Sequence, residues 1–124
     1  MEILTVENAP KAIGPYAHAI KSGNLVFCSG QTPLDPETME ISGTTIEEQT
    51  ERALHNLAVV LEGVGLSLKS IVKTTVYLKD MADFQGMNQV YGRMFGEHTP
   101  ARTTIAVMQN PLDALVEIEC IAEC

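Results

Sequence analysis

Arg102 is the residue of this sequence best placed to bind a small anion. It follows Pro100 and Ala101, just before a β-type run that begins at Thr103. Its guanidinium group offers a planar fork of donors that grips a carboxylate through two hydrogen bonds, which the ammonium group of lysine cannot do. Because the chain carries 16 acidic and 8 basic residues, the alternative is a surface arginine paired with one of many carboxylates.

Other polar groups that could line a ligand pocket lie beside predicted strands and helices. Tyr16 follows a Gly-Pro turn, Ser29 and Gly30 follow an apolar strand, Asn88 lies on a helix face, and Glu117 lies in the last strand. Each also has an ordinary structural explanation: a half-buried turn aromatic, a chain turn, a loop cap or a solvated carboxylate. The residues alone leave both interpretations open.

The remaining reactive side chains do not form a recognisable catalytic or metal-binding pattern. His18, His55 and His98 lie far apart, without the spacing of a zinc site. Ser29 does not lie in a Gly-x-Ser-x-Gly elbow. Cys28 could act as a nucleophile, but a thiol inside an apolar strand is more often a core residue. We therefore predict no metal site.

The charge balance argues against polyanionic partners. The net charge is −8, and the lysines and arginines are scattered singly, so no basic patch for nucleic acid or an anionic membrane is expected. The three cysteines form no CxxC pair, the first residues do not resemble a signal peptide, and the longest apolar run, Leu57 to Leu61, is too short to cross a bilayer. We expect one domain, residues 1–124, in a cytosolic protein with reduced thiols.

The apolar pattern predicts four strands and two helices after a segment of short strands and turns over residues 1–24. The first helix begins at the capping box of Thr45 and Glu48 and ends near Gly63. The second is capped by Asp80 or Asp83 and has an apolar face that Asn88 shares. That face consists of Phe84, Met87, Tyr91, Met94 and Phe95, and the predicted strands are 25–28, 71–78, 103–108 and 115–122.

This order of elements predicts a two-layer α/β fold. Right-handed crossovers would set the first three predicted strands parallel, with both helices on one face of the sheet. The other face would then be solvated or packed against another subunit, and we expect a homo-oligomer. If the last two strands formed a hairpin, Glu117 would lie roughly 13 Å from Arg102. Either these strands are not neighbours, or a subunit interface brings the two groups together.

Several segments together resemble the Rid family, the YjgF-type reactive-intermediate deaminases. The resemblance covers nearly the whole chain with the usual spacing of the family. The matching segments are Ile13–Tyr16, Cys28–Gln31, Leu78–Asp80, Phe84, Met87–Tyr91, Thr99–Arg102 and Val116–Glu119. The chain departs from the family at Thr99, where an aromatic residue is common, at Thr104, where Cys or Val is common, and at Leu112, where Lys is common. The first two departures affect the shape of the pocket.

The resemblance implies a chorismate-mutase-like mixed sheet with two helices on one face, in a homotrimer with ligand pockets between subunits. It also implies cofactor-free hydrolysis of 2-imino acids, such as 2-iminobutanoate and 2-iminopropanoate released by pyridoxal-phosphate enzymes, to 2-keto acids and ammonia. Arg102 would bind the substrate carboxylate, and Glu117 would hold and activate the attacking water. The pocket would be lined by Tyr16, Ser29, Gly30, Asn88 and the backbone around Thr104.

The sequence leaves three other functions open. The same pocket could serve a non-catalytic sensor of a small carboxylate, such as a 2-keto acid or an amino acid. A ribonuclease or translation inhibitor is a label that the family often carries, but the net charge of −8 argues against it. A chaperone-like role would require exposed apolar surface.

Overall fold

The computed structural model describes all 124 residues as one six-stranded mixed sheet covered by two helices. The strands are β1 (Glu2–Leu4), β2 (Ala19–Ser22), β3 (Leu25–Gln31), β4 (Ile71–Leu78), β5 (Ala101–Ala106) and β6 (Val116–Glu123). The helices are α1 (Ile46–Glu62) and α2 (Phe84–Phe95), with short 3₁₀ turns at Leu68–Ser70, Met81–Asp83 and Pro111–Asp113. Neither long helix combines the length and apolar character that crossing a bilayer requires.

The capping box predicted at the start of α1 is present. The Thr45 hydroxyl accepts a hydrogen bond from the Glu48 amide at 3.1 Å, and the Glu48 carboxylate accepts one from the Thr45 amide at 3.1 Å. The helix ends at Gly63, as its sequence indicated. Its predicted apolar stripe packs onto the sheet, where Leu54 and Leu57 are fully buried.

The second helix begins differently from the prediction. The Asp80 carboxylate caps the 3₁₀ turn, accepting from the Ala82 amide at 2.8 Å. Asp83 occupies the N-cap position of α2 without a side-chain hydrogen bond. Asp83 is therefore the N-cap residue, as one of the two predicted alternatives had it, but neither carboxylate caps α2. The 3₁₀ turn separates Asp80 from the first turn of that helix. The predicted apolar face is confirmed, with Met87 and Tyr91 buried against the sheet.

Strand β6 lies between β3 and β4, so the sheet order is β1-β2-β3-β6-β4-β5. Both β3 and β4 run antiparallel to β6, and β5 runs parallel to β4. The three strands that were predicted to be parallel therefore share one direction. Strands β5 and β6 are not neighbours, so the alternative in which the last two strands form a hairpin is wrong.

Strand β3 extends beyond its predicted end, and strand β5 both begins and ends two residues earlier than predicted; both differences concern candidate site residues. Strand β5 begins at Ala101, so Arg102 lies within the strand, opposite Thr74 of β4. Strand β3 continues to Gln31 through a bulge after Cys28, so Ser29 and Gly30 lie inside the strand rather than after it. Backbone pairing with neighbouring strands determines where both strands begin and end. The apolar pattern of one strand carries no information about that pairing.

The two faces of the sheet differ in character. The face beneath the helices, called here the helix face, holds the core; Thr74, Val76 and Leu78 of β4 point into it and are fully buried. The opposite face, called here the open face, carries no helix. Tyr77 and Glu117 are paired residues on it. Val116, Ile118, Cys120 and Ala122 alternate along β6 and are buried on the helix face.

Candidate active site

Arg102 lies on the helix face and has no carboxylate partner. Its register partner Thr74 points into the core, and directly opposite residues share a face of the sheet. The two ion pairs of the structure, Lys79–Asp113 at 2.9 Å and Arg93–Glu51 at 3.7 Å, involve other residues. The alternative of a surface arginine paired with a neighbouring carboxylate is therefore wrong.

Aromatic and sulfur-containing side chains of α2 surround the Arg102 guanidinium. Its central carbon lies 4.8 Å from the ring centre of Tyr91 and 5.6 Å from that of Phe84. One terminal nitrogen lies 3.9 Å from the Met87 sulfur. These contacts orient the cation through ring faces and leave its N–H groups without a strong acceptor.

Two other candidate residues lie near Arg102 and carry buried oxygen atoms without a partner. The Asn88 side-chain oxygen and the Thr104 hydroxyl have no hydrogen bond within the chain. Thr104 lies two residues beyond Arg102 on the same face of β5, while Asn88 and Arg102 line one cavity of about 260 Å³. Both oxygens are therefore available to hydrogen-bond a ligand or another chain, as is the buried Thr50 hydroxyl elsewhere, on α1.

A second cavity, of about 330 Å³, contains the other candidate residues. Tyr16, Ser29, Gly30 and Glu117 line it, together with Ile13, Thr32 and Pro111. The Ser29 hydroxyl donates to the Ala17 carbonyl at 2.6 Å, so it can offer only its lone pairs to a ligand. The Tyr16 hydroxyl accepts from the Ile13 amide at 3.2 Å and keeps its own proton available for donation.

Gly30 allows Glu117 to lie directly beside the backbone of β3. A Cβ atom at position 30 would lie 3.0 Å from the carboxyl carbon of Glu117 and still closer to one of its oxygens. No side chain larger than hydrogen fits there without displacing the carboxylate. Glycine is required at position 30 because the Glu117 carboxylate lies so close to the backbone, and not because the backbone angles are unusual.

Burial and a neighbouring negative charge both change the pKa of Glu117. The pKa of its carboxyl group is raised above the ordinary value, first by burial and then by the negative charge of Glu119. Glu119 lies two residues away on the same face and accepts a hydrogen bond from the Tyr77 hydroxyl at 2.6 Å. A carboxylate with a raised pKa is a stronger base than an ordinary glutamate, which favours its taking a proton from water.

The two cavities lie on different faces of the sheet and cannot share a ligand within one chain. Arg102 pairs with Thr74 and Glu117 pairs with Tyr77, three residues further along β4. The backbone positions of Arg102 and Glu117 are thus about 14 Å apart, from about 10 Å along the strands and two strand spacings across. The candidate residues form an Arg102 half-site (Asn88, Arg102, Thr104) and a Glu117 half-site (Tyr16, Ser29, Gly30, Glu117).

The histidines and cysteines differ in their surroundings, and His98 lines the cavity that contains Arg102. His18 is buried; its Nδ1 accepts from the Val6 amide and its Nε2 donates to the Pro10 carbonyl. His55 is exposed on α1, and His98 bonds the Ile71 carbonyl at 2.6 Å. Cys28 is a core residue, as expected from its apolar strand, and faces Cys120 directly across β3 and β6.

The sequence interpretation missed the residues that hold Arg102. Phe84, Met87 and Tyr91 were assigned to the apolar face of α2, and they do pack against the sheet. They also contact the guanidinium. The signal that could have revealed this is their i, i+3, i+7 spacing, which forms one stripe of the helix, followed by a strand with a single arginine.

Comparison with known proteins identifies the relatives of this fold and site. A RutC family protein of Pyrococcus horikoshii is 52% identical over 121 residues, covering 98% of this chain and 96% of that protein. The chloroplastic Reactive Intermediate Deaminase A of Arabidopsis thaliana is 46% identical, covering 98% of this chain and 65% of that protein. The crystal structure of Escherichia coli TdcF with bound serine superposes with a TM-score of 0.94 at 38% identity, covering 100% of this chain and 99% of that one.

The family profile described as Endoribonuclease L-PSP matches residues 6–124. This range contains every residue of both half-sites, and the two relatives above align with 98% of this chain. The protein therefore belongs to the L-PSP family, in which the RutC and Rid proteins are found.

Proposed function

We propose that this protein is a homotrimeric deaminase that hydrolyses 2-imino acids, such as 2-iminobutanoate and 2-iminopropanoate, to 2-keto acids and ammonia. Arg102 binds the substrate carboxylate, and Glu117 positions the attacking water and transfers its proton. Tyr16, Ser29, Gly30, Asn88 and Thr104 line the pocket. The relative named Reactive Intermediate Deaminase A supports this assignment by its name and by 46% identity.

One observation carries the proposal: Arg102 is unpaired in a chain of net charge −8. Sixteen carboxylates are available, yet the guanidinium lies against rings and sulfur, beside the unpartnered oxygens of Asn88 and Thr104. A cation held in this way is prepared for a small carboxylate from outside the chain. The surrounding acidic surface repels anions at long range, so the attraction must be local.

The two half-sites support an assembly in which one subunit supplies Arg102 and its neighbour supplies Glu117. The open face exposes apolar side chains in addition to polar ones; Ile3 is 68% exposed, Phe27 43% and Ile105 44%. Contact between the edge strand β5 of one chain and the open face of the next would cover such groups and join the half-sites. Repeating that head-to-tail contact three times would close a trimer with three equal pockets.

The chemistry requires only orientation, one water and proton transfer. An imine carbon is electrophilic, so water held by Glu117 adds its oxygen to C2 while Glu117 takes one water proton. Returning that proton to the nitrogen gives a carbinolamine, which carries a hydroxyl and an amino group on C2. Glu117 then moves the hydroxyl proton to the nitrogen as the C–N bond breaks, which releases ammonia and leaves the C2 carbonyl of the 2-keto acid. The raised pKa of Glu117 suits this exchange, and Arg102 fixes C2 relative to the water.

A second function, binding of a small carboxylate without turnover, is favoured by a different observation. The related TdcF structure is described as containing serine, an amino acid that carries a carboxylate and no imine. A sensor would use Arg102 in the same way and would gain stability with ligand, but Glu117 would transfer no proton. The two functions differ in turnover and agree in the need for Arg102.

The test couples a threonine dehydratase to this protein and follows the decay of the imine. Wild-type protein should accelerate the decay. Arg102→Ala should lose about a hundredfold in kcat/KM, equivalent to about 3 kcal/mol of carboxylate binding. Arg93→Ala is the matched control, because Arg93 is a surface arginine whose only ion pair is with Glu51. No acceleration by folded wild-type protein would refute the deaminase and leave the carboxylate-binding function.

The ribonuclease label of the family calls for a separate measurement. Protein purified to homogeneity is incubated with RNA alongside Arg102→Ala. We expect no cleavage above the level of the variant, because the chain lacks the clustered basic residues that phosphate binding requires.

A further inference from the structure

The support beneath Arg102 is built from one stripe of α2. Phe84, Met87 and Tyr91 follow one another at i, i+3 and i+7, so they lie on the same side of the helix. Tyr91 makes the nearer of the two ring contacts, with its ring centre 4.8 Å from the guanidinium carbon, against 5.6 Å for Phe84. The guanidinium is thus oriented by neutral groups that do not compete for its N–H donors.

Tyr91 differs from Phe84 because its ring is itself fixed. Its hydroxyl and the Thr74 hydroxyl form a buried hydrogen bond of 2.7 Å, and its ring packs on Phe95 with 4.5 Å between ring centres. Tyr91 is 7% exposed and Thr74 is fully buried. Burial raises the pKa of Tyr91, so the phenol stays neutral and keeps this hydrogen bond.

Thr74 contacts both Arg102 and the ring that supports it. It is the direct neighbour of Arg102 in the pairing of β4 with β5, so it fixes the backbone from which the arginine projects. Its hydroxyl also fixes the ring on which the guanidinium rests. Thr74 therefore helps to fix both the backbone and the guanidinium group of Arg102.

We propose that Tyr91 is a positioning residue: anchored by Thr74, it holds the Arg102 guanidinium in one orientation with its donors free for the substrate carboxylate. This inference rests on the proposed function, in which Arg102 binds that carboxylate. A carboxylate side chain in place of the ring would also orient the arginine, but it would occupy the donors that the ligand needs. The neutral ring orients the arginine and leaves those donors free.

Removing the ring should weaken carboxylate binding rather than the chemical step. A free arginine side chain samples many rotamers, and binding a ligand would have to order it first. We expect Tyr91→Leu to raise Kd for 2-oxobutanoate and KM for the imine about tenfold, within the range of a cation–π contact, while kcat changes less than about threefold. Tyr91→Phe keeps the ring and should largely restore binding.

The experiment measures the order of Arg102 directly and in the absence of ligand. Relaxation of the Arg102 side-chain Nε–H group is recorded by ¹⁵N NMR on the intact oligomer for wild type, Tyr91→Phe and Tyr91→Leu. Calorimetry with 2-oxobutanoate and the imine assay follow. Leu57→Ala is the control for lost stability, because Leu57 is a fully buried residue of α1. It should lower the melting temperature and leave Arg102 order and Kd unchanged.

The outcomes separate this inference from the proposed function. A folded Tyr91→Leu protein with Arg102 as ordered as in wild type would overturn the role of Tyr91, whatever the enzyme does. If Tyr91→Leu does not fold, Tyr91→Met replaces it, since it also removes the ring while its flexible side chain fills more of the buried space. Reduced order of Arg102 there supports the proposal, and unchanged order overturns it. Absence of imine turnover by wild type refutes the deaminase alone.

Discussion

Arg102 and Glu117 project from opposite faces of the same sheet. Arg102 shares the helix face with Thr74, and Glu117 shares the open face with Tyr77. A small carboxylate cannot touch both groups of one chain across a packed sheet. A site that uses both residues, as the proposed deaminase does, would therefore draw Arg102 from one subunit and Glu117 from another.

Mixing two inactive variants tests this division. Arg102→Ala retains a functional Glu117, and Glu117→Gln retains a functional Arg102. When the two are refolded together in equal amounts, random assembly of a closed ring gives about a quarter of the sites both intact groups. We expect about a quarter of wild-type activity from the mixture and almost none from either variant alone, measured by imine decay.

The control for the mixture is the double variant Arg102→Ala/Glu117→Gln mixed with wild type. It dilutes intact sites in a predictable way but creates none from inactive chains. Activity in the first mixture no greater than in its separate components would show that each site uses one chain. Light scattering on every sample reports whether the oligomer forms.

Gly30→Ala should impair catalysis through Glu117. The added methyl group would lie 3.0 Å from the carboxyl carbon of Glu117 and would displace the carboxylate from the cavity. We expect kcat/KM to fall about a hundredfold, comparable to the loss of a positioned general base. The measurement is a double-mutant cycle with Glu117→Gln. If the alanine acts only through Glu117, adding it to Glu117→Gln costs no further activity.

Thr45→Ala should destabilise the protein without affecting the site. The threonine hydroxyl satisfies the Glu48 amide at the start of α1, and its loss should lower the free energy of unfolding by about 1 kcal/mol. Thr45→Ser keeps the hydroxyl and should match wild type. Thermal melts measure the stability. A fall in kcat/KM for Thr45→Ala would contradict the prediction that this helix cap does not affect the site.

The sequence was sufficient to predict the elements whose causes are local. Thr45 and Glu48 lie three residues apart, so the start of α1 follows from hydrogen bonds within one turn. The alternation of Val116, Ile118 and Cys120 likewise determines which side of β6 is buried. Such features depend on neighbours in the chain, and they agreed with the structure.

The rest depends on contacts between distant segments. The position of β6 between β3 and β4 joins residues that are far apart in sequence, and no local pattern specifies it. The ring contact of Tyr91 with Arg102 has the same origin: the apolar spacing of α2 predicted that Tyr91 is buried, but not which group lies against its face. Assignment of Arg102 and Glu117 to opposite faces required the pairing of both strands with β4.

The raised pKa of Glu117 predicts a specific pH dependence of stability. A carboxyl group whose pKa is higher in the folded protein than in the unfolded chain favours folding at low pH, and this contribution is lost as the pH rises through the folded value. At neutral pH, Glu117→Gln should therefore stabilise the protein by removing a partly buried charge. Because part of the carboxylate is in contact with solvent, the free energy of unfolding should rise by well below about 1 kcal/mol.

Glu119→Gln separates the two causes of that shift. It removes the neighbouring charge and leaves burial, the larger cause, in place. The pKa of Glu117 should fall but remain above its ordinary value, moving the acidic limb of the kcat/KM profile to lower pH by less than about one unit. The measurement is the profile of imine hydrolysis between pH 4 and 8, with Glu123→Gln, an exposed carboxylate near the end of β6, as control. A limb that stays in place in Glu119→Gln would show that the titrating group is not Glu117.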